Sequence, residues 1–399
     1  MKKNVIITGG ELFNKGAQAM TFAVISTIKK INPDINCILL STKDAIERSE
    51  EDKKKYNFEI LPYRIKDIFL DKIKVPHRLI KKCDEKYVKD MKNILNETAM
   101  MIDISGYVLS SDWGRKRCQS FLMKILIAKK YSIPVYIMPQ SFGPLNFKGI
   151  DAIFINSMIR SLMPYPKIIY AREEKGYKLL TEKFKLKNVQ RSLDTVLLCD
   201  SVDEKLIYKK THEEQEICIR ENSIAILPNQ RTLEHGNKEN ISSLYKKIIS
   251  NATSQGLNVY LISHAADDVE FCMKLKKLFE TNPKVLYLNK ELSCIEFERI
   301  IKKFNYLVAS RYHSIVHAYK QGVPCVILGW ADKYKELATV FGQEDYLFDI
   351  SKTFNEKVIL NATNKLQDNY SSEKIIINEK LKEVRSKGSF DFFKILEDV

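Results

Sequence analysis

The chain has 399 residues, 45% of them hydrophobic and 29% charged, with 65 Lys and Arg against 50 Asp and Glu. That length exceeds one comfortable core and suits two domains, and there is no run of about 18 uncharged apolar residues to span a bilayer. The net charge of +15 comes from lysines mixed with acids along segments such as KLKKLFE, not from a basic arm or stripe, so no nucleic-acid partner is expected and an anionic substrate or leaflet fits better.

The N-terminal MKKNVIITGG carries only a short apolar core, Val5–Thr8, before Gly9 and Gly10. It reads as a first strand, not a signal peptide, and the expected location is cytoplasmic, with peripheral contact at a membrane left open. Ala17–Lys30 follows as an amphipathic helix and Asn36–Leu40 as the next strand. Residues 41–98 are charged, mostly helical or irregular, with a short strand at Phe58–Leu61. Met100–Ile104 is a strand, Cys118–Tyr131 a helix, Val135–Met138 a strand, Ala152–Met163 a helix and Ile168–Ala171 a strand. Val189–Leu193 then closes the first series just before Asp194.

Residues 201–222 are polar and without period, which predicts an interdomain connection. Strand and helix alternate again from Ser223: strands at Ser223–Leu227, Asn258–Ser263, Val285–Leu288 and Tyr306–Ala309, separated by helices at Ile241–Gln255, Val269–Glu280 and Cys294–Lys302. The expected organisation is α/β, two Rossmann-like domains facing across a cleft: residues 1–200, the 201–222 link, and residues 223–370. A helical tail at 371–399 is expected to pack back on the first domain. The eight cysteines, Cys37, Cys83, Cys118, Cys199, Cys218, Cys272, Cys294 and Cys325, stand singly with no C-x-x-C pair, and reduced buried thiols are expected.

The most informative stretch is Leu307–Gly342. It runs strand, turn, helix, strand, with Arg311 and His313 where strand becomes helix, Gly322 ending the helix and Val323–Leu328 forming the next strand. In an open parallel sheet ligands bind at that edge, near helix N-termini that attract anions. A permanent cation beside a group that titrates near neutral pH suits chemistry on an anionic substrate.

Other strand ends supply further candidates. Asn14, Lys15 and Gly16 open the first helix and could hold an anion or hydroxyl, although a plain tight turn explains them equally. Asp103, in an apolar run, is either a general base or a structural cap. Asp112 is either a site residue or a helix cap. Gln140 and Ser141, in PQSFGP, can donate and accept in a cleft. Arg172 is placed for a carboxylate or phosphate, and Lys333 and His264 are further contacts at the same edges. His313 and His317 stand four apart, but H-E-x-x-H is absent and no third ligand is evident, so no metal is expected.

Taken together, the segments GGELFNKGAQAM, MIDISGYVLSSDWG, MPQSFGP, YAREEKGYKLL, LDTVLL, LISHAADD and ASRYHSIVHAYKQGVPCVILGWADKYKEL resemble the polysaccharide pyruvyl transferase family. The resemblance implies a glycosyltransferase-B-like architecture and transfer of a pyruvyl group from phosphoenolpyruvate to a sugar of a cell-surface glycan precursor, usually as a cyclic ketal. It implies phosphoenolpyruvate as co-substrate without a further cofactor, and a glycan or lipid-linked oligosaccharide as acceptor. The family's Arg-x-His motif falls on Arg311 and His313, and its first-domain acid on Asp103. Gln18 stands where many relatives have Glu, and Ser105-Gly106-Tyr107 where many have a glycine triplet.

In the corresponding chemistry His313 protonates the methylene carbon, while Arg311, Arg172 and Lys333 meet phosphate and carboxylate. Asp103 takes a proton from the acceptor. Two other readings stand beside this one: a glycosyltransferase of the same architecture using a nucleotide sugar, and a non-catalytic protein that binds glycans or membrane surfaces.

Overall fold

The computed structural model describes residues 3–70, 84–210, 217–388 and 390–398; Cys83 and the centre of the 201–222 connection lie outside them. Within these residues two parallel sheets form. The first comprises β1 (Asn4–Thr8), β2 (Asn36–Leu40), β3 (Glu59–Leu61), β4 (Thr98–Asp103), β5 (Val135–Gln140), β6 (Ile168–Ala171) and β7 (Val189–Arg191), in the order β3-β2-β1-β4-β5-β6-β7. The second comprises β8 (Ser223–Leu227), β9 (Asn258–Leu261), β10 (Val285–Tyr287), β11 (Leu307–Ala309), β12 (Cys325–Gly329) and β13 (Leu347–Asp349), in the order β10-β9-β8-β11-β12-β13. Both are doubly wound, so the two expected Rossmann-like halves are present. Their strand order reverses between β1 and β4 and between β8 and β11, where a crevice opens beyond the strand ends.

Strands buried on both faces need continuous apolar runs, and their period of two sorts side chains into two layers. In the first sheet Ile6, Ile38, Met101, Ile137 and Ile169 pack outward with Phe121, Leu122, Ile155 and Ile159. Their neighbours Val5, Ile7, Cys37, Leu39, Met100 and Ile102 belong to a different core, which continues into the second lobe through Leu227, Phe297, Leu307, Ala309, Ile315 and Tyr319. The lobes therefore share one apolar core along helices Lys15–Ile31, Cys294–Ile301 and Tyr312–Lys320. Gln18 pins the junction: its side chain accepts from the Cys294 amide at 2.6 Å and donates to the Leu12 carbonyl.

Two segments depart from their expected character. The polar 201–222 connection contains a short helix at Glu204–Ile207. Ile207 is buried, and Tyr208 stacks on Tyr56 at 5.5 Å, so sparse apolar residues anchor a stretch whose composition reads as solvated. The tail helix opens at Glu356, earlier than residue 371, and runs for 32 residues to Lys387. It starts on the second lobe, where Lys247 pairs with Glu356, and ends on the first, where Arg385 donates to the Leu197 carbonyl and pairs with Asp200.

Asp103, at the end of β4, is 3% exposed. It accepts from Thr8 at 2.7 Å, the Ser105 amide at 3.1 Å and Lys124 at 3.0 Å, with Gln140 at 3.4 Å. Burial works against its charge, but Lys124 and these donors outweigh it and hold the carboxyl below the usual range. Asp103→Asn leaves the Lys124 ammonium without its counter-ion and is expected to destabilise the fold by about 3 kcal/mol, read from the midpoint of denaturant unfolding.

Candidate active site

Each functional side chain stands at the C-terminal end of a strand. β11 leads through Ser310 to Arg311, which occupies the N-cap position of helix Tyr312–Lys320, so His313 projects from its first turn. β6 ends at Arg172, β7 leads to Asp194 and β12 leads to Lys333. The two lobes meet closely here. A Cβ added at Gly16, in the first turn of helix Lys15–Ile31, would lie 2.3 Å from His313 Cγ and 2.4 Å from its Nδ1. Glycine is what lets that helix N-terminus reach the imidazole. Asn14 caps the same turn, accepting from the Gly16 and Ala17 amides.

Asp194 sits at the centre. Its side chain is fully buried and accepts from Arg172 Nη1 at 2.7 Å, with His313 Nε2 3.6 Å away. Burial opposes the charge of Asp194, yet a protonated His313, the Arg172 guanidinium and the Val196 amide favour it and hold it below the ordinary carboxylate range; with the imidazole neutral, Arg172 and the amide do this alone. Arg172 also donates to Ser141 and to the Gly106 carbonyl, and its guanidinium lies 4.8 Å from the Tyr312 ring. Burial pushes His313 down to about 3, with Asp194 offsetting only part of that and Arg172 adding to it. The resting imidazole is therefore neutral, and its Nε2 has no hydrogen-bond partner.

Lys333 faces this cluster with its ammonium 5.7, 5.3 and 5.6 Å from the rings of Tyr107, Tyr312 and Tyr334. No carboxylate lies within ion-pair distance of it among the described residues. Burial and the neighbouring Arg172 lower it to about 8. Arg172, Asp194, Tyr312 and Lys333 line a cavity of 250 Å³ together with Glu173, Arg191 and Glu336. His313 and Arg311 are not on its lining; His313 adjoins it through Asp194.

The remaining candidates are placed differently. Arg311 is held by Asp268 through Nε at 2.9 Å and Nη2 at 2.7 Å, and reaches Asp267 at 3.2 Å. Those nitrogens are engaged within the second lobe. Asp103 is saturated by donors, as described above, which leaves it no free edge for an acceptor hydroxyl. His264 is 3% exposed, packs on Phe297 and is pushed well below its ordinary range by burial and Lys15. Lys15 donates to the His264 carbonyl at 3.2 Å. His317 pairs with Glu298 at 2.8 Å and its ring lies 6.1 Å from that of His264, but no group of three metal-binding side chains occurs among the described residues. Gln140 is buried beside Asp103 with its carbonyl oxygen unpartnered, and Ser141 bridges Arg172 and Glu173. Asp112 accepts from Tyr107 at 2.6 Å, on an aromatic rim where Trp113 is flanked by Arg117 of its own lobe and Arg231 of the other.

Asp194, Tyr312 and Asp268 were not singled out by the sequence reading. The signal for Asp194 was available: an acid directly after a short strand and before Thr-Val, at the same sheet edge as Arg172.

A family model described as polysaccharide pyruvyl transferase matches residues 14–332. No curated protein is recognisably similar in sequence. Among solved structures, the UDP-GlcNAc 2-epimerase of Methanocaldococcus jannaschii aligns with a TM-score of 0.55 at 13% identity, covering 94% of this chain and 98% of that one. Staphylococcus aureus MnaA, solved with UDP, gives 0.53 at 13% over 99% and 94%. Staphylococcus aureus TarM gives 0.56 at 8% over 99% and 98%. The fold is thus that of the glycosyltransferase-B class.

The contact between Gly16 and His313 is directly testable. Gly16→Ala forces the imidazole or the helix to shift. It is expected to lower turnover by about 100-fold while reducing stability by only about 1–3 kcal/mol, compared by steady-state kinetics and denaturant unfolding.

Proposed function

The chain belongs to the polysaccharide pyruvyl transferase family, and on that premise we propose that it moves a pyruvyl group from phosphoenolpyruvate to two hydroxyls of one sugar in a cell-surface glycan precursor, forming a ketal. The observation that carries this reading is the convergence of Arg172, Lys333 and His313 from both lobes on one cleft, with no carboxylate within ion-pair distance of Lys333 among the described residues. Such a cluster suits a small polyanion. The 250 Å³ cavity is also below the ~300–1,000 Å³ that larger ligands fill, which favours a three-carbon donor over a nucleotide sugar.

In this mechanism Lys333 meets the donor's anionic groups, while Arg172, buried and already paired with Asp194 beside Glu173, orders the wall of the cleft behind it. The incoming anion raises the affinity of His313 for a proton, because it places negative charge beside an imidazole that burial had discharged. His313 then delivers that proton to the methylene carbon, leaving an oxocarbenium-like centre. A sugar hydroxyl attacks this centre and gives its proton to the now neutral imidazole, phosphate departs carrying the bonding electrons, and the second hydroxyl closes the ring, its proton passing to the released phosphate. Asp194 acts as a positioning residue for both Arg172 and His313. Arg311, clamped by Asp268, fixes the start of the helix that carries His313. Asp103, surrounded by donors, serves the sheet edge instead of acting as base. The sugar ring lies against Tyr107 and Trp113 on the rim.

His313→Gln is expected to lower phosphate release from phosphoenolpyruvate by at least about 100-fold with an unchanged unfolding midpoint; a variant of full activity removes His313 from the reaction. Lys333 supplies a pH signature. Its folded value of about 8 means the ammonium is present below that pH and lost as pH rises through it. The KM for phosphoenolpyruvate is therefore expected to climb toward about tenfold per pH unit above 8, whereas Lys333→Gln starts from a high KM and shows no such break.

A further inference from the structure

One helix of the first lobe carries apolar side chains on two opposite faces. In Gly149–Leu162, Ile155, Ile159 and Leu162 are buried against the lobe. On the other side Ile150 is 81% exposed, Ile153 72% and Phe154 40%. Residues three and four apart share a helix face, so these form one stripe. Of the nine large apolar side chains exposed among the described residues, three fall within this one turn, whereas the rest occur singly or as one adjacent pair.

The edges of the stripe are cationic. Lys148 precedes the helix and is exposed, and Arg160, two turns beyond Ile153 on the same side, is exposed as well. Arg115, from helix Gly114–Lys130, lies 5.9 Å from the Phe154 ring and pairs with Asp151 at 2.8 Å. An apolar stripe framed by Lys and Arg complements an anionic lipid surface: the side chains enter the headgroup boundary and the cations meet lipid phosphates. The stripe is also joined to the cleft. It follows the loop in which the Pro144 carbonyl accepts from the amide and hydroxyl of Ser111, beside Asp112 and Trp113.

We propose that this stripe docks the first lobe on an anionic bilayer, with the Tyr107–Trp113 rim held near the lipid surface where a lipid-linked sugar is presented. The docking stands on the exposed stripe and its cations; only its purpose rests on the glycan-acceptor reading.

Co-flotation of the full chain with vesicles tests it. Wild type is expected to float with mixed phosphatidylcholine and phosphatidylglycerol vesicles, less so at high salt, and not with phosphatidylcholine alone. Ile150→Glu with Ile153→Glu is expected to abolish flotation, and Lys148→Glu with Arg160→Glu to lower the partition coefficient by roughly tenfold or more. All these variants should keep wild-type phosphate release from phosphoenolpyruvate with a water-soluble glycoside. The proposal is overturned if wild type does not float, if both paired variants float like wild type, or if light scattering shows a dimer that Ile150→Glu with Ile153→Glu makes monomeric. Wild-type flotation with no phosphate release would support the docking surface and overturn the pyruvyl-transfer reading.

Discussion

The site depends on one buried carboxylate. Asp194 is taken entirely out of water, which is tolerable only because Arg172 meets it at 2.7 Å and the Val196 amide donates to its other oxygen. The same carboxylate faces His313, which arrives from the opposite lobe. One acid thus fixes the direction of a guanidinium from the first lobe and an imidazole from the second. Tyr312 covers the guanidinium, Gly16 leaves room for the imidazole, and the shared apolar core keeps the lobes close enough for both contacts to exist. Glu173 stands 3.7 Å from Arg172 Nε, so the guanidinium is shared between two acids, and Lys333 is the cation of this centre with no carboxylate within ion-pair distance among the described residues.

Sequence patterns were legible where a short segment carries its own logic. The apolar run, the Arg-x-His pair and the terminating glycine of Leu307–Gly322 specify strand, turn and helix locally, and His313 stands at the helix start in the fold as it does in that pattern. The parallel sheets were legible for the same reason, since strands buried on both faces are written as plain apolar runs. What the chain does not write locally is pairing. Whether Arg311 is free depends on Asp268 in a different loop, and whether Asp103 can act as a base depends on Lys124 in the following helix. Asp194 looked like a strand end because both of its partners come from elsewhere in the fold. The 201–222 segment does lie between the two sheets, but its polar composition hides the anchoring role of Ile207 and Tyr208.

The neighbours in fold are nucleotide-sugar epimerases and glycosyltransferases at 8–13% identity. The scaffold is common to all of them, but a scaffold does not carry chemistry by itself. Here the crevice edge that the topology supplies has been filled with Arg172, Lys333, Tyr312 and Asp194, and the remaining cavity is small. The same architecture can therefore present different chemistry through the side chains at a handful of strand ends.

The tail helix has a mechanical consequence. At about 1.5 Å per residue its 32 residues make a rod of roughly 48 Å, rooted beside Lys247 and terminating where Arg385 grips Leu197 and Asp200. The backbone passes between the halves once after β7 and once at the end of this rod, and the two passages run side by side. Because the rod is tied to both halves, any movement of one against the other must strain its pairing at Glu356 or its grip at Arg385.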